Sequence, residues 1–145
     1  MHSASVVMNN YSDQFELNIQ RLLRLEIKEL HRRRDVEIAL VHASYRMQLH
    51  GPGDGQPAIK SQVRMVADSP LFDWQWLAER CSKALHDSLA AAEYYVRAGA
   101  FDGLDPSPDF ETMAYYLANP DVAKAGWPAL VHYLHIGKAE CRPLT

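Results

Sequence analysis

From Ser12 to His50 the apolar residues recur every eleven positions: Ile19, Leu30 and Val41; Ile27, Ile38 and Leu49; Leu25, Val36 and Met47. Eleven residues in three turns is about 3.67 per turn, so a helix with this pattern keeps its apolar stripe nearly straight. One series, Leu23–Arg34–Tyr45, is interrupted by Arg34. The stretch holds neither Gly nor Pro, Ser12 suits a helix cap, and Asp13 and Glu16 suit the positive end of a helix dipole. At about 1.5 Å per residue the helix extends almost 60 Å, more than a body of about 90 residues spans. Part of the stripe is therefore expected to lack an internal cover. Ile19, Leu23, Ile27, Leu30, Ile38, Val41 and Tyr45 become candidates for a partner surface, most simply for a second copy of the chain. The alternative is a helix that breaks or folds back near Arg32-Arg33-Arg34.

The segment Gly51-Pro52-Gly53-Asp54-Gly55-Gln56-Pro57 cannot continue a helix and reads as a linker over 51–58. Beyond it the chain predicts an all-α body over 59–145, built from short helices with essentially no strand. Ser69-Pro70-Leu71-Phe72-Asp73 resembles Ser107-Pro108-Asp109-Phe110-Glu111, and Tyr94 to Gly99 resembles His132 to Gly137. Both pairs are offset by about 38 residues, the length of a helical repeat unit. This gives two degenerate copies, about 69–106 and 107–143, with Trp76-Leu77 answering Tyr116-Leu117 after a slip of two residues. In copy one Asp73 caps a helix whose Trp76, Leu77 and Cys81 face inward, Asp87 caps a second, and Gly99 ends it. In copy two Glu111 opens a helix that Pro120 breaks, Asp121 caps a short turn, and Pro128 opens the last helix, closed by Gly137.

Composition narrows the functions. With 48% apolar and 23% charged residues the chain is neither a disordered tail nor a membrane span. No basic start followed by an apolar run marks a secretory signal, and Cys81 and Cys141 are read as reduced thiols of a cytoplasmic protein. The net charge of −3 divides into +1 over residues 1–50 and −4 over the remainder. His31-Arg32-Arg33-Arg34 is basic, but adjacent arginines point around the helix, and Glu29, Asp35 and Glu37 flank them. A solvated face with a Glu29–Arg33 pair is favoured over a nucleic-acid site.

Phe110 to Ala123, with Tyr116-Leu117, Asn119-Pro120-Asp121 and Val122, then Gly126, His132-Tyr133-Leu134, Gly137 and Glu140, carry a recognisable pattern. It resembles the helical tandem repeats associated with bacterial glycosyltransferases and surface-polysaccharide synthesis, whose unit reads NPDVA-x-AG, PL-x-HYL and G-x-x-EGR-x-P. The resemblance covers about 69–143. Copy one keeps Phe72, Asp73, Tyr95, Gly99 and the closing turn, but has Arg80-Cys81-Ser82-Lys83 in place of the Asn-Pro-Asp box. Copy two has Cys141 where the closing turn has Gly. In such proteins the repeats lie beside the transferase domain, so the resemblance implies no catalysis. No glycine-rich phosphate loop follows a strand here either.

Other candidate chemistry is sparse. His132 and His135 could turn two imidazoles toward one metal but lack further ligands, so no metal or cofactor is expected. Tyr95, Tyr116 and Tyr133 fit an inward face. Trp74, Tyr94, Tyr115 and Trp127 are then candidates for exposed aromatics that meet a partner or a sugar ring. The expected function is a non-catalytic protein–protein interaction or scaffold module of bacterial surface-polysaccharide synthesis, with a possible homodimer through the N-terminal helix. A glycan-binding module and a basic-helix nucleic-acid regulator are the alternatives.

Overall fold

The computed structural model describes the backbone from residue 2 and side chains from residue 10. It is all-α. The helices are α1 (His2–His50), α2 (Ile59–Ala67), α3 (Trp74–Arg80), α4 (Ser88–Tyr94), α5 (Thr112–Ala118), α6 (Pro120–Lys124) and α7 (Ala129–His132). α4 and α7 each run on into one π-helical turn, Tyr95–Gly99 and Tyr133–Gly137. The one β feature among the described residues is an isolated bridge between Ser107 and Phe110.

α1 begins ten residues before Ser12. Nothing between His2 and Tyr11 is a Gly or Pro, so the hydroxyl of Ser12 has no chain break to cap. The helix is unbroken through Arg32-Arg33-Arg34. The chain divides into two compact units, residues 1–35 and Val36–Thr145. In the first, every residue from Asn10 to Asp35 is exposed. Glu29 pairs with Arg32 at 3.3 Å.

The second unit takes in the end of α1. Val36, Leu40, Ala43 and Met47, spaced to share one helix face, are buried with Val66, Leu77, Tyr95, Leu130 and Val131 in one core. Gly51, at φ +74°, terminates α1 in the left-handed conformation, and its N–H donates to the Met47 carbonyl at 3.0 Å. The Gly/Pro segment is not a free linker: it is fastened to the body. The Gln56 amide donates to the Gly126 carbonyl at 3.1 Å and accepts from the buried Gln62 amide at 3.3 Å, while Arg46 donates to the Lys124 carbonyl at 3.1 Å. The division therefore falls where α1 gains a buried face, at Val36, and not at the glycines.

The serine turns and the closing turns of the two copies share their hydrogen bonds at an offset of 38. α3 and α5 have matching bounds, 74–80 and 112–118. Ahead of each, a serine hydroxyl (Ser69, Ser107) accepts from the N–H two residues on, both at 3.1 Å. In the closing turns the Leu104 N–H donates to Gly99 and the Arg142 N–H to Gly137, both at 2.9 Å. The true register has no slip: Leu77 answers Tyr115, not Leu117. What distinguishes the copies is α6, which occupies in copy two the place that the irregular segment Cys81–Asp87 holds in copy one.

Asp73 and Asp87 cap α3 and α4, accepting from Trp76 and Ala90 at 3.1 and 2.7 Å. Glu111 does not cap α5 with its side chain; Asp105 accepts from the Thr112 N–H instead, at 2.9 Å. Pro128 is the residue before α7 rather than its first. Leu77 is buried, but Trp76 is half-buried under the Arg80 guanidinium, 3.9 Å from its ring, and Cys81 is half-buried at the end of α3.

Gly103 and Cys141 are equivalent positions, and both are left-handed, at φ +82° and +55°. That conformation costs an L-residue roughly 1–2 kcal/mol, partly offset by the extra freedom a glycine has when unfolded. Cys141→Gly is expected to stabilise the body by up to about 1 kcal/mol, and Gly103→Ala to destabilise it by about as much. Chemical denaturation midpoints check both; equal shifts of one sign would contradict this account.

Candidate functional site

The candidate stripe on α1 is exposed throughout. In the first unit Ile19, Leu23, Ile27 and Leu30 are 40–59% exposed. In the second unit Ile38, Val41 and Tyr45 are 46–64% exposed, and Leu49 continues the row at 72%. At about 100° per residue, these last four lie nearly opposite Val36, Leu40, Ala43 and Met47. The end of α1 thus carries two apolar faces and covers one of them with its own body. The first unit also exposes Tyr11, Phe15, Leu22 and Leu25.

The second constellation is the corner between α5 and α6, where the Asn-Pro-Asp box finds its structural use. The Asn119 amide donates to the Tyr115 carbonyl at 3.0 Å and to the Pro143 carbonyl at 2.8 Å, tying the chain end to α5. Pro120 starts α6, where no N–H is needed. Asp121 is not a cap: its carboxylate accepts from Arg142 at 2.9 Å, and Arg142 also reaches Glu140 at 2.9 Å. The Arg142 guanidinium bonded to it holds the Asp121 carboxyl below its usual range, and the same pairing raises the arginine.

Beside this corner the Tyr115 hydroxyl and His132 Nδ1 are 2.7 Å apart and buried. Burial pushes Tyr115 up to about 12, so the phenol stays protonated. Burial also lowers His132, assisted by the Arg142 charge, so its imidazole is neutral at pH 7. Trp127 sits between two histidines, edge-on to His132 with centroids at 5.3 Å and stacked on His135 at 5.8 Å. Gly126, at φ +77°, turns the chain into this cluster.

The aromatic assignments need correction. Tyr115 is fully buried and Trp127 is 8% exposed, so neither offers a face to a sugar or a partner. Tyr115 and Tyr116 are both inward because they are covered from different sides. Tyr115 meets His132, and the Tyr116 hydroxyl donates to the Trp127 carbonyl at 2.7 Å. Tyr133 is half-buried. Trp74 and Tyr94 are the two candidates that remain half-exposed. Tyr95 is buried, its hydroxyl 2.9 Å from that of Thr112 and accepting from the Leu130 N–H at 3.3 Å. Of the remaining repeat residues, Phe110, Gly99, Gly126 and Gly137 are buried, Phe72 and Leu117 half-buried, and Asp73 exposed.

Arg142 is the residue that sequence reasoning passed over. Its signal was present in the Arg of the closing pattern, separated by about one repeat half from the acidic residue it meets. Among the described residues no three His, Cys, Asp or Glu side chains gather to hold a metal ion, and no helix is long and apolar enough to cross a membrane.

No family model, curated protein or solved structure matches this chain.

A Cβ on Gly137 would run into the Tyr115 hydroxyl, whereas one on the equivalent Gly99 would meet Leu104 at 3.4 Å and the Tyr94 ring at 3.5 Å, both ordinary contacts. Gly137→Ala is expected to cost about 2 kcal/mol or more by displacing a buried hydrogen bond, and Gly99→Ala well under half of that. Thermal unfolding of the two variants, compared directly, checks this.

His132 also sets a pH dependence. Its folded pKa lies below the ordinary 6.5, so the unfolded chain binds its proton first as acid is added. The stability it contributes is complete above about pH 6.5 and is lost as pH falls toward the folded pKa. His132→Gln should flatten the midpoint-versus-pH curve below about pH 6.5. A slope unchanged by the substitution would assign the effect to other groups.

Proposed function

We propose that this chain is a non-catalytic interaction module, serving cytoplasmic protein assembly in bacterial surface-polysaccharide synthesis. The single observation that carries the docking role is the exposed apolar row of α1, which in the second unit faces away from the side the body covers. A monomer that needs no partner rarely leaves so many large apolar side chains in one row, because each costs favourable burial. The repeat resemblance supplies the biological setting and nothing else.

The body serves as a folded support rather than as chemistry. Tyr115 and His132 are spent on each other, and Asp121 on Arg142. A nucleophile, a base and a charge stabiliser at one accessible point are what an enzyme reading would need. Glycan binding would have to rely on Trp74 and Tyr94, a much smaller aromatic surface than four exposed rings.

The test is a double variant, Leu23→Asp with Leu30→Asp, at exposed positions that leave the body's core untouched. Wild-type protein is expected to retain a component of the polysaccharide-synthesis machinery in affinity purification from its host, and the variant to lose it with an unchanged thermal midpoint. Retention of the same component by the variant would move docking off α1. A tryptophan fluorescence change with polysaccharide, abolished by Trp74→Ala, would favour glycan binding instead.

A further inference from the structure

The two closing turns share their backbone bonds but differ in what holds them down. In copy one Ala100, Phe101 and Pro106 are buried and Leu104 is half-buried, so apolar contact fixes the turn. In copy two no residue from 138 to 145 is buried. Arg142 takes the place of Leu104 and is held by charge, at 2.9 Å from both Asp121 and Glu140. The Asn119 amide adds one bond, to the Pro143 carbonyl at 2.8 Å. Cys141, at φ +55°, sets a non-glycine residue in the left-handed region. A segment with no buried side chain and one strained residue opens locally more easily than the body around it unfolds.

The groups against which this turn begins differ too. His132 stands where copy one has Tyr94, and Tyr115 where it has Leu77. A Cβ on Gly137 would meet the Tyr115 hydroxyl and, at 3.4 Å, His132 Nδ1, so the hydrogen-bonded pair lies directly against the start of the turn. His132 is 5% exposed. Around it stand Tyr115 from α5, Trp127 ahead of α7, Asp121 from α6, His135 from the following π-helical turn, and Glu140 and Arg142 from the closing turn. An imidazolium in this place needs a carboxylate, and the two that act on it are both engaged by Arg142. Those carboxylate side chains are 62% and 50% exposed, so their bonds to Arg142 are rim ion pairs, individually weak. A buried charge left without a partner costs more than such pairs contribute.

We propose that the closing turn, residues 138–143, is an acid-sensitive latch. When His132 takes up a proton, Asp121 and Glu140 turn from Arg142 to the imidazolium, and the turn lifts while the rest of the body stays folded. Copy one, with Leu104 and Tyr94 at the equivalent positions, has no such response.

Backbone amide exchange on the full chain, read by NMR as protection factors, tests this, with the His132 ring resonances giving its titration in the same samples. As pH falls from neutral, the Arg142 N–H is expected to lose protection by about tenfold or more in step with the His132 titration, while the equivalent Leu104 N–H keeps its own. His132→Gln, which retains an amide to bond Tyr115, should abolish that pH dependence. Asp121→Asn gives the same test without touching a buried residue: with one counter-ion removed, the His132 titration and the loss of protection should move to lower pH together. Arg142 protection that stays constant through the His132 titration overturns the latch. So does a loss shared equally by Leu104, which marks unfolding of the whole body, and so does a loss that persists in His132→Gln or departs from the His132 titration in Asp121→Asn.

Discussion

The body depends on one constraint: a short helical unit that buries a tyrosine ring must find a partner for its hydroxyl in some other element. A buried hydroxyl without a hydrogen bond costs about 1–3 kcal/mol, comparable with a sizeable share of a small domain's stability. Tyr95, Tyr115 and Tyr116 are each fully buried, and each is satisfied from outside its own helix. Tyr95 reaches across to Thr112 and Leu130 of the second copy of the repeat; Tyr115 reaches His132, and Tyr116 the Trp127 carbonyl. Beyond α1 and α2 the longest helical run is α4 with its π-helical turn, residues 88–99, too short to be stable by itself. The tyrosines make their folding mutual.

The same constraint explains which small residues matter. Position 137 requires glycine because the Tyr115 hydroxyl occupies the space a Cβ would take, while Gly99 faces Leu104 and the Tyr94 ring at ordinary contact distance. Gly126 and Gly51 are left-handed turns that bring Trp127 in and end α1. Cys141 holds a left-handed turn without being glycine, yet the closing bonds around it match those around Gly103. The turn is thus imposed by the hydrogen bonds that surround it and not by the residue at its apex.

Periodicity and punctuation made much of this legible. The eleven-residue pattern gave a helix and its exposed row, Gly51 its end, the 38-residue echo the two copies, and Asp73 and Asp87 their caps. The start of α1 was not legible, because a capping serine signals only where a helix can begin, and nothing before Ser12 prevents it. The inward aromatics were misread for a related reason. A period of 100° per residue assumes cover on one side, but a seven-residue helix wedged between neighbours is covered on both, so adjacent Tyr115 and Tyr116 are both core. The partnership of Asp121 with Arg142 bridges 21 residues and depends on how the closing turn folds back, which no local pattern encodes.

The two units of α1 face opposite energetic situations. From Val36 onward the helix is anchored by a buried face and needs nothing more to persist. Before it, a helix whose described side chains are all exposed has only intrinsic propensity and local pairs such as Glu29–Arg32 to hold it, each worth a few tenths of a kcal/mol. Helices in water without tertiary cover are marginal even in favourable sequences, and exposed isoleucine adds nothing to propensity. Residues such as Ile19, Leu23 and Ile27 therefore stabilise the helix only when covered. Cover along that row would order the helix and bury its apolar surface in one step, which is why the row, and not the better-knit body, is where binding free energy is available.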